Sequence, residues 1–288
     1  MIISDYKISK KIFGFAYFCV MVHFKRRPTV KQNRLILFVT IFLLNQNAFG
    51  QKRLDNLRNN SNFEWVVDNL ELNLTLYYER NSYAEKNIDE LKKRVKQHLT
   101  STLNFIGVDT YDKPIHYFLL EDRERMKLLI GYETNGSANA KNDFVTAIFS
   151  ENIKSVYSNH ELFHLIAMNL WGYPESWLNE GMAVYSDNAW SGHNLHELSK
   201  YLIDNDRFVS IDRIAKRLRK YDSMVTYPLL GSFAKFIDET YGRETIKIIW
   251  SNGRKKMKKH LGKSLDDLEN EWLLMLNSVT YKDIKYLK

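Results

Sequence analysis

Two histidines four residues apart, with a glutamate directly after the first, are the residues of this chain best placed to do chemistry: His160-Glu161-Leu162-Phe163-His164. On an α-helix, residues four apart lie one turn apart on the same face, so both imidazoles can reach a single ion. Glu161 projects about 100° round the helix from His160, close enough to handle a water at that ion but not aimed as a ligand. A third ligand is available at Glu180, with fifteen residues between it and His164, inside the segment Trp177-Leu178-Asn179-Glu180-Gly181-Met182-Ala183-Val184-Tyr185. That spacing lets one helix end, turn near Gly172–Pro174 and return as a second helix. Three protein ligands with a fourth position left for water distinguish a catalytic zinc from a structural one. The bland alternatives are a helix that carries two histidines by coincidence and a surface carboxylate at Glu180. Cys19 is the sole cysteine of 288 residues and lies far upstream, so any metal must be held by His and carboxylates.

The elements that must position these residues can be read from periodicity. Leu72–Tyr78 alternates and is rich in β-formers, which predicts a strand. Ser82 is placed to cap a helix running to about Phe105, with Ile88, Leu91, Val95, Leu99 and Leu103 on one face. Pro114–Leu120 reads as a second strand, Asp122 to about Gly131 as a short helix, and Phe144–Phe149 as a third strand. Between them Thr134–Asp143 is rich in Asn, Gly, Ser and Ala and reads as a loop. Helices are expected near 155–170, 175–188, 194–204, 211–220, 226–240, 243–251 and 264–277, punctuated mostly by Gly172, Gly192, Gly231, Gly242, Gly253 and Gly262. A mixed first half followed by a helical second half predicts an α+β domain with a cleft between two lobes, residues 51–174 and 175–288.

Residues 1–50 stand outside that domain. Leu35–Leu44 is an apolar run preceded by Arg26, Arg27, Lys31 and Arg34, and followed by the small-x-small pattern Ala48-Phe49-Gly50. These are the parts of a secretory signal peptide cut after Gly50, and a run of 10 residues is too short for a membrane span, which needs about 20. A second apolar run at Ile12–Val22 is explained if translation starts at Met21. The leader also accounts for the charge. The whole chain has 42 Lys+Arg against 34 Asp+Glu; the first 50 residues hold 8 of the basic groups and only Asp5 of the acidic ones, leaving 34 against 33. A net of +1 in the remainder gives no argument for nucleic-acid binding. The basic clusters Arg213–Lys220 and Arg254–Lys259 read as solvated helix faces. The expected product is secreted or periplasmic, with no stable membrane span once the leader is gone.

The two motifs together resemble the gluzincin zinc metallopeptidases. The Trp177–Tyr185 segment is similar to the Trp-Leu-Asn-Glu-Gly-Phe-Ala-x-Tyr segment of aminopeptidase-N-like enzymes. The shorter metal spacing and compact size look more like small exported proteins of the peptidase-MA-like group. Tyr227-Pro228-Leu229-Leu230-Gly231-Ser232-Phe233, then Tyr241-Gly242 and Leu265–Trp272, are similar to that group's C-terminal helices. The resemblance covers most of residues 71–277 and implies a zincin-like, thermolysin-type fold. It further implies Zn2+ held by His160, His164 and Glu180, Glu161 as general base, and Tyr227 as hydrogen-bond donor to the developing oxyanion, with Tyr221 as its rival. One departure matters. The Gly-Ala-Met-Glu-Asn segment that grips a free amine in aminopeptidases has no counterpart, since Gly136–Asp143 contains no glutamate.

The expected activity is therefore zinc-dependent hydrolysis of peptide bonds in a peptide or protein substrate, endopeptidase rather than aminopeptidase, with the substrate adding as a strand along the edge formed by Phe144–Phe149. The alternative is a cell-envelope binding protein that keeps the fold without catalysis, against which the intact Glu161 argues. A fortuitous motif in a structural adhesin is a third reading. His193 and His196-Glu197 fit neither order of the zinc motif and read as loop or helix-face residues, and His98, His116 and His260 are isolated.

Overall fold

In the computed structural model, which describes residues 53–286, a five-stranded sheet is built first and the helices that carry the chemistry are laid against it. The strands are β1 (Trp65–Asn69), β2 (Leu74–Glu79), β3 (Ile115–Leu120), β4 (Gly136–Asn139) and β5 (Phe144–Ile148), in the order β1-β2-β3-β5-β4. β2, β3 and β5 run parallel, while β1 and β4 pair antiparallel at the two edges. All six residues of β3 and all five of β5 are buried, as expected of strands covered on both faces.

Alternation divides the strands between two cores. Val145 and Ala147 face one side with Leu76, Tyr78, Tyr117 and Leu119, where the long helices pack. Phe144 and Ile148 face the other with Tyr77, Phe118 and Leu120, covered by a helical turn at residues 53–58 and by α3 (Arg123–Ile130).

α1 (Tyr83–Lys86) and α2 (Ile88–Ile106) share the helix expected after Ser82, whose side chain accepts from the Glu85 N–H. Leu91, Val95, Leu99 and Leu103 of α2 are buried, the face that the 3.6-residue period marks. After β5 the chain is helical: α4 (His160–Trp171), α5 (Ser176–Asp187), α6 (Leu195–Asp204), α7 (Ile211–Arg217), α8 (Ser223–Tyr241), α9 (Arg243–Asn252), α10 (Met257–Leu261) and α11 (Leu265–Leu276). A short hairpin, β6 (Ala189–Trp190) and β7 (His193–Asn194), joins α5 to α6. The described residues from Leu54 onward form one compact unit of mixed α+β structure. The leader assigned to residues 1–50 lies outside the described residues, among which no helix is long and apolar enough to cross a membrane.

Three expectations are corrected. The Gly-Ser-Ala-Asn stretch expected as loop forms edge strand β4, so β5 is paired on both sides and offers no open edge. Gly and Asn are poor strand formers, and only pairing with β5 makes this segment extended. The metal-motif helix starts at His160 rather than near 155, for a reason given below. Gly231 does not punctuate a helix but lies inside α8. A Cβ there would stand 2.5 Å from Val184 Cγ1, and one at Gly181 would stand 2.7 Å from the Leu230 carbonyl oxygen. The two glycines therefore let α5 and α8 cross in close contact, which brings the helix of Glu180 against the helix of Tyr227.

Candidate metal centre

α4 and α5 are held at a fixed angle by polar contacts at both ends. Asp187, the last residue of α5, accepts from the Asn159 backbone N–H at 2.6 Å and from Ser158 Oγ at 2.8 Å, and the His160 N–H donates to Ser158 Oγ at 3.0 Å. These bonds satisfy amide groups that a helix start leaves unpaired, which is why α4 begins at His160. Asn159 adds a bond from Nδ2 to the Ser186 carbonyl at 2.8 Å, and its Oδ1 lies 2.9 Å from His98 Nδ1. At the other end Gly172, at φ +87°, terminates α4, and its carbonyl accepts from Trp250 Nε1 at 2.7 Å. Glu175 starts α5, accepting from Trp177 Nε1 at 2.8 Å and from Arg254 Nη1 at 2.9 Å.

Across this frame the three expected ligands converge. His160 Nε2 and His164 Nε2 are 3.1 Å apart, and they stand 3.3 and 3.4 Å from Glu180 Oε2. Donor atoms bound at about 2.0–2.2 Å to one tetrahedral ion are separated by about 3.3–3.6 Å, so the two histidine–glutamate separations match those of a shared ion and the histidine pair stands slightly closer. His160, His164 and Glu180 could hold a metal ion. The chemistry of the set agrees, because two imidazole nitrogens facing each other repel unless a proton or a cation lies between them. His164 Nδ1 and Asn179 Oδ1 are both buried and make no other hydrogen bond. An N–H at His164 Nδ1, with Asn179 as its nearby acceptor, leaves the Nε2 lone pair for a cation. The side chains of His160 and Glu180 keep 19% and 20% exposure, which leaves a path from solvent to the centre.

The electrostatics follow from this crowding. Burial works against a charged His164, yet the Glu180 charge and hydrogen bond, with Glu161 and Asn179, outweigh it and push the imidazole up to about 9. Burial would raise Glu180, but the two histidines hold it well below the usual carboxylate range. Glu161 is pushed up, first by burial and then by the charges of Glu180 and Asp187, against the pull of both histidines. Its carboxylate lies against β4: a Cβ on Gly136 would stand 2.7 Å from Glu161 Oε1. The Tyr227 ring meets His160 edge to face at 6.3 Å and stacks on Trp190 at 5.4 Å. Burial and the charges of Glu180 and Glu161 keep its phenol protonated far above neutrality. Tyr227, rather than Tyr221, is the tyrosine at the histidine pair.

His193 and His196 are engaged elsewhere. His196 turns inward from α6 to Ser232 Oγ at 2.7 Å and reaches Glu239 at 3.5 Å, while His193 lies edge to face with Tyr286 at 6.0 Å. Residues absent from the motif reading also shape the centre: Gly136, Asn159, Asn179, Asp187 and Trp190. Asp187 had a readable signal, since it lies seven residues after Glu180 and so on the same helix face. Gly136 had none, because nothing in its neighbourhood alternates.

No protein-family model matches the chain, and no curated protein is similar enough to it to count as a relative.

Proposed function

We propose that this chain is an exported zinc-dependent endopeptidase of the gluzincin type, with a zincin-like catalytic domain. The observation that carries the reading is the convergence of His160 Nε2, His164 Nε2 and Glu180 Oε2 to 3.1–3.4 Å, with a protonatable carboxylate next to His160 in the chain and the Tyr227 ring against the His160 ring. Export rests on the leader pattern of residues 1–50 alone.

His160, His164 and Glu180 would hold the zinc, which when bound would supply the Lewis acidity that polarises a carbonyl and makes water nucleophilic near neutral pH. The rest falls to the protein. The Glu161 carboxylate accepts a proton from the attacking water and passes it to the nitrogen of the breaking amide; its raised pKa brings it nearer the pH at which it works. The Tyr227 hydroxyl, held protonated, donates to the carbonyl oxygen as negative charge develops there.

Strand β4 takes over the orienting role expected of β5. The Ile148 N–H donates to the Asn135 carbonyl, so the two-residue period directs Asn135, Ser137 and Asn139 towards β5 and turns the N–H and C=O of Gly136 and Ala138 outward. Thr134 Oγ1 donates to the Gly136 carbonyl at 2.8 Å, which leaves Ala138 to pair with an extended peptide. Backbone pairing of this kind orients a substrate without demanding one sequence. The missing glutamate on β4 favours internal cleavage over removal of N-terminal residues.

The test is Glu161→Gln. It should keep one zinc per chain and lose hydrolysis of a mixed peptide library by about 10²–10⁴-fold. Undiminished hydrolysis in that variant would remove Glu161 from its role. A wild-type chain that binds zinc but cleaves nothing would instead make it a binding protein.

A further inference from the structure

Pro228 lies inside α8, one residue after Tyr227. A proline has no N–H, so the carbonyl four residues before it, that of Met224, loses its helical partner. The missing donor arrives from the far end of the chain. The Tyr286 hydroxyl donates to the Met224 carbonyl oxygen at 2.6 Å and accepts from Trp190 Nε1 at 2.7 Å. Trp190 in turn stacks on Tyr227, with ring planes 21° apart. One phenol thus joins three separate pieces of the fold beside the histidine pair: the β6–β7 hairpin, the first turns of α8, and the segment after α11.

That segment is anchored for the purpose. The Tyr286 carbonyl accepts from the Tyr201 hydroxyl at 2.9 Å, Tyr281 meets Tyr201 edge to face at 5.6 Å, and Val279 and Ile284 pack on the main core. Tyr286 itself is only 5% exposed. A buried hydroxyl that meets both a donor and an acceptor is costly to replace, and a phenylalanine of the same shape would leave an orphan on each side.

We infer that Tyr286 is a positioning residue: by occupying the carbonyl that Pro228 leaves free and fixing the indole of Trp190, it holds the Tyr227 ring in place beside His160. The Trp190 face and the edge contact with the His160 ring both limit rotation of Tyr227. The role given to Tyr227 rests on the peptidase reading; the clasp of Tyr286 on Pro228 and Trp190 does not.

Two measurements test the two halves separately. In metal-free protein, Tyr286→Phe should lower Tm by about 2–4 °C, the shift expected when about 1 kcal/mol is lost in a domain of this size. In a Pro228→Ala background the backbone N–H restored by the substitution can bond the Met224 carbonyl, so Tyr286→Phe should cost clearly less there. Equal losses in both backgrounds would overturn the clasp. Should Pro228→Ala fail to fold, Trp190→Phe replaces it in the cycle, and strictly additive losses would again be fatal. For the positioning role, Tyr286→Phe should reduce kcat about tenfold with KM little changed. It should do nothing further in Tyr227→Phe protein. A tenfold loss that persists there would show that Tyr286 does not act through Tyr227. A wild-type chain without hydrolytic activity sinks the positioning half together with the peptidase reading, and the Tm cycle still decides the clasp.

Discussion

Two histidine–carboxylate clusters sit in the helical part of this molecule, and they differ in how their polar atoms are met. Around His196 every acceptor finds a donor. His196 Nδ1 lies 2.7 Å from Ser232 Oγ, Trp272 Nε1 donates to the same oxygen at 3.0 Å, and Glu239 accepts from Lys235 Nζ at 2.6 Å. Burial there lowers the imidazole below its ordinary value, although Glu239 pulls the other way. Around His160 and His164 three atoms that could each accept a proton lie within 3.1–3.4 Å of one another. Here the surroundings push His164 up to about 9, despite its burial. The first cluster is complete as it stands; the second could hold a cation. Composition does not separate a structural polar network from a binding site, and the direction of the lone pairs does.

The largest contrast expected between the clusters is in metal uptake. Free zinc at about 100 times its Kd should stabilise the wild-type chain by about 2.7 kcal/mol, a rise in Tm of about 5–10 °C. His160→Ala should abolish that rise. His196→Ala should keep it while lowering the metal-free Tm by a few degrees, because Ser232 and Trp272 lose a buried partner. A zinc response lost in the His196 variant, or kept in the His160 variant, would invert the comparison.

A second prediction concerns the wall that the metal cluster shares with the sheet. Gly136→Val places atoms where the Glu161 carboxylate lies, so the carboxylate must move while the three ligands stay. Hydrolysis should fall about 10²-fold with zinc affinity little altered, checked by steady-state rates beside a metal titration. Equal loss of zinc would mean that β4 supports the ligands rather than the base.

The smallest effect is electrostatic. In metal-free protein the His164 imidazole is favoured in its charged form, with a folded pKa of about 9 against an ordinary 6.5. Its contribution to stability is therefore full below about pH 6.5 and fades as the pH climbs through about 9. Thermal melts of chelator-treated protein should show Tm falling over that window, and His164→Gln should flatten the fall. A fall of the same size in the variant would assign it to another group.

Much of this arrangement was legible in the residue pattern, and the illegible parts have physical reasons. The His160–His164 pair and Glu180 could be read because helical spacing alone brings them to one face and one return. The apolar faces of α2 and the buried strands β3 and β5 follow from period and composition. β4 could not be read, since Gly136-Ser137-Ala138-Asn139 has no β preference and is extended only by its partner strand. Gly231 looked like punctuation because a glycine in a sequence does not say whether it ends a helix or lets another one approach. Trp190 reaches Tyr227, and Tyr286 reaches Trp190, only through folding, from 37 positions before Tyr227 and 59 after it. The Pro228 that makes Tyr286 necessary stood in plain view, without a sign of which donor would answer it.

The central claim is that His160, His164 and Glu180 form one metal centre, and calorimetric titration of chelator-stripped protein with Zn2+ tests it most directly. One ion should bind per chain, and Glu180→Ala should weaken that binding by more than about 100-fold, beyond the range seen when a group merely supports a ligand. No saturable zinc site, or binding that Glu180→Ala leaves unchanged, would contradict the account.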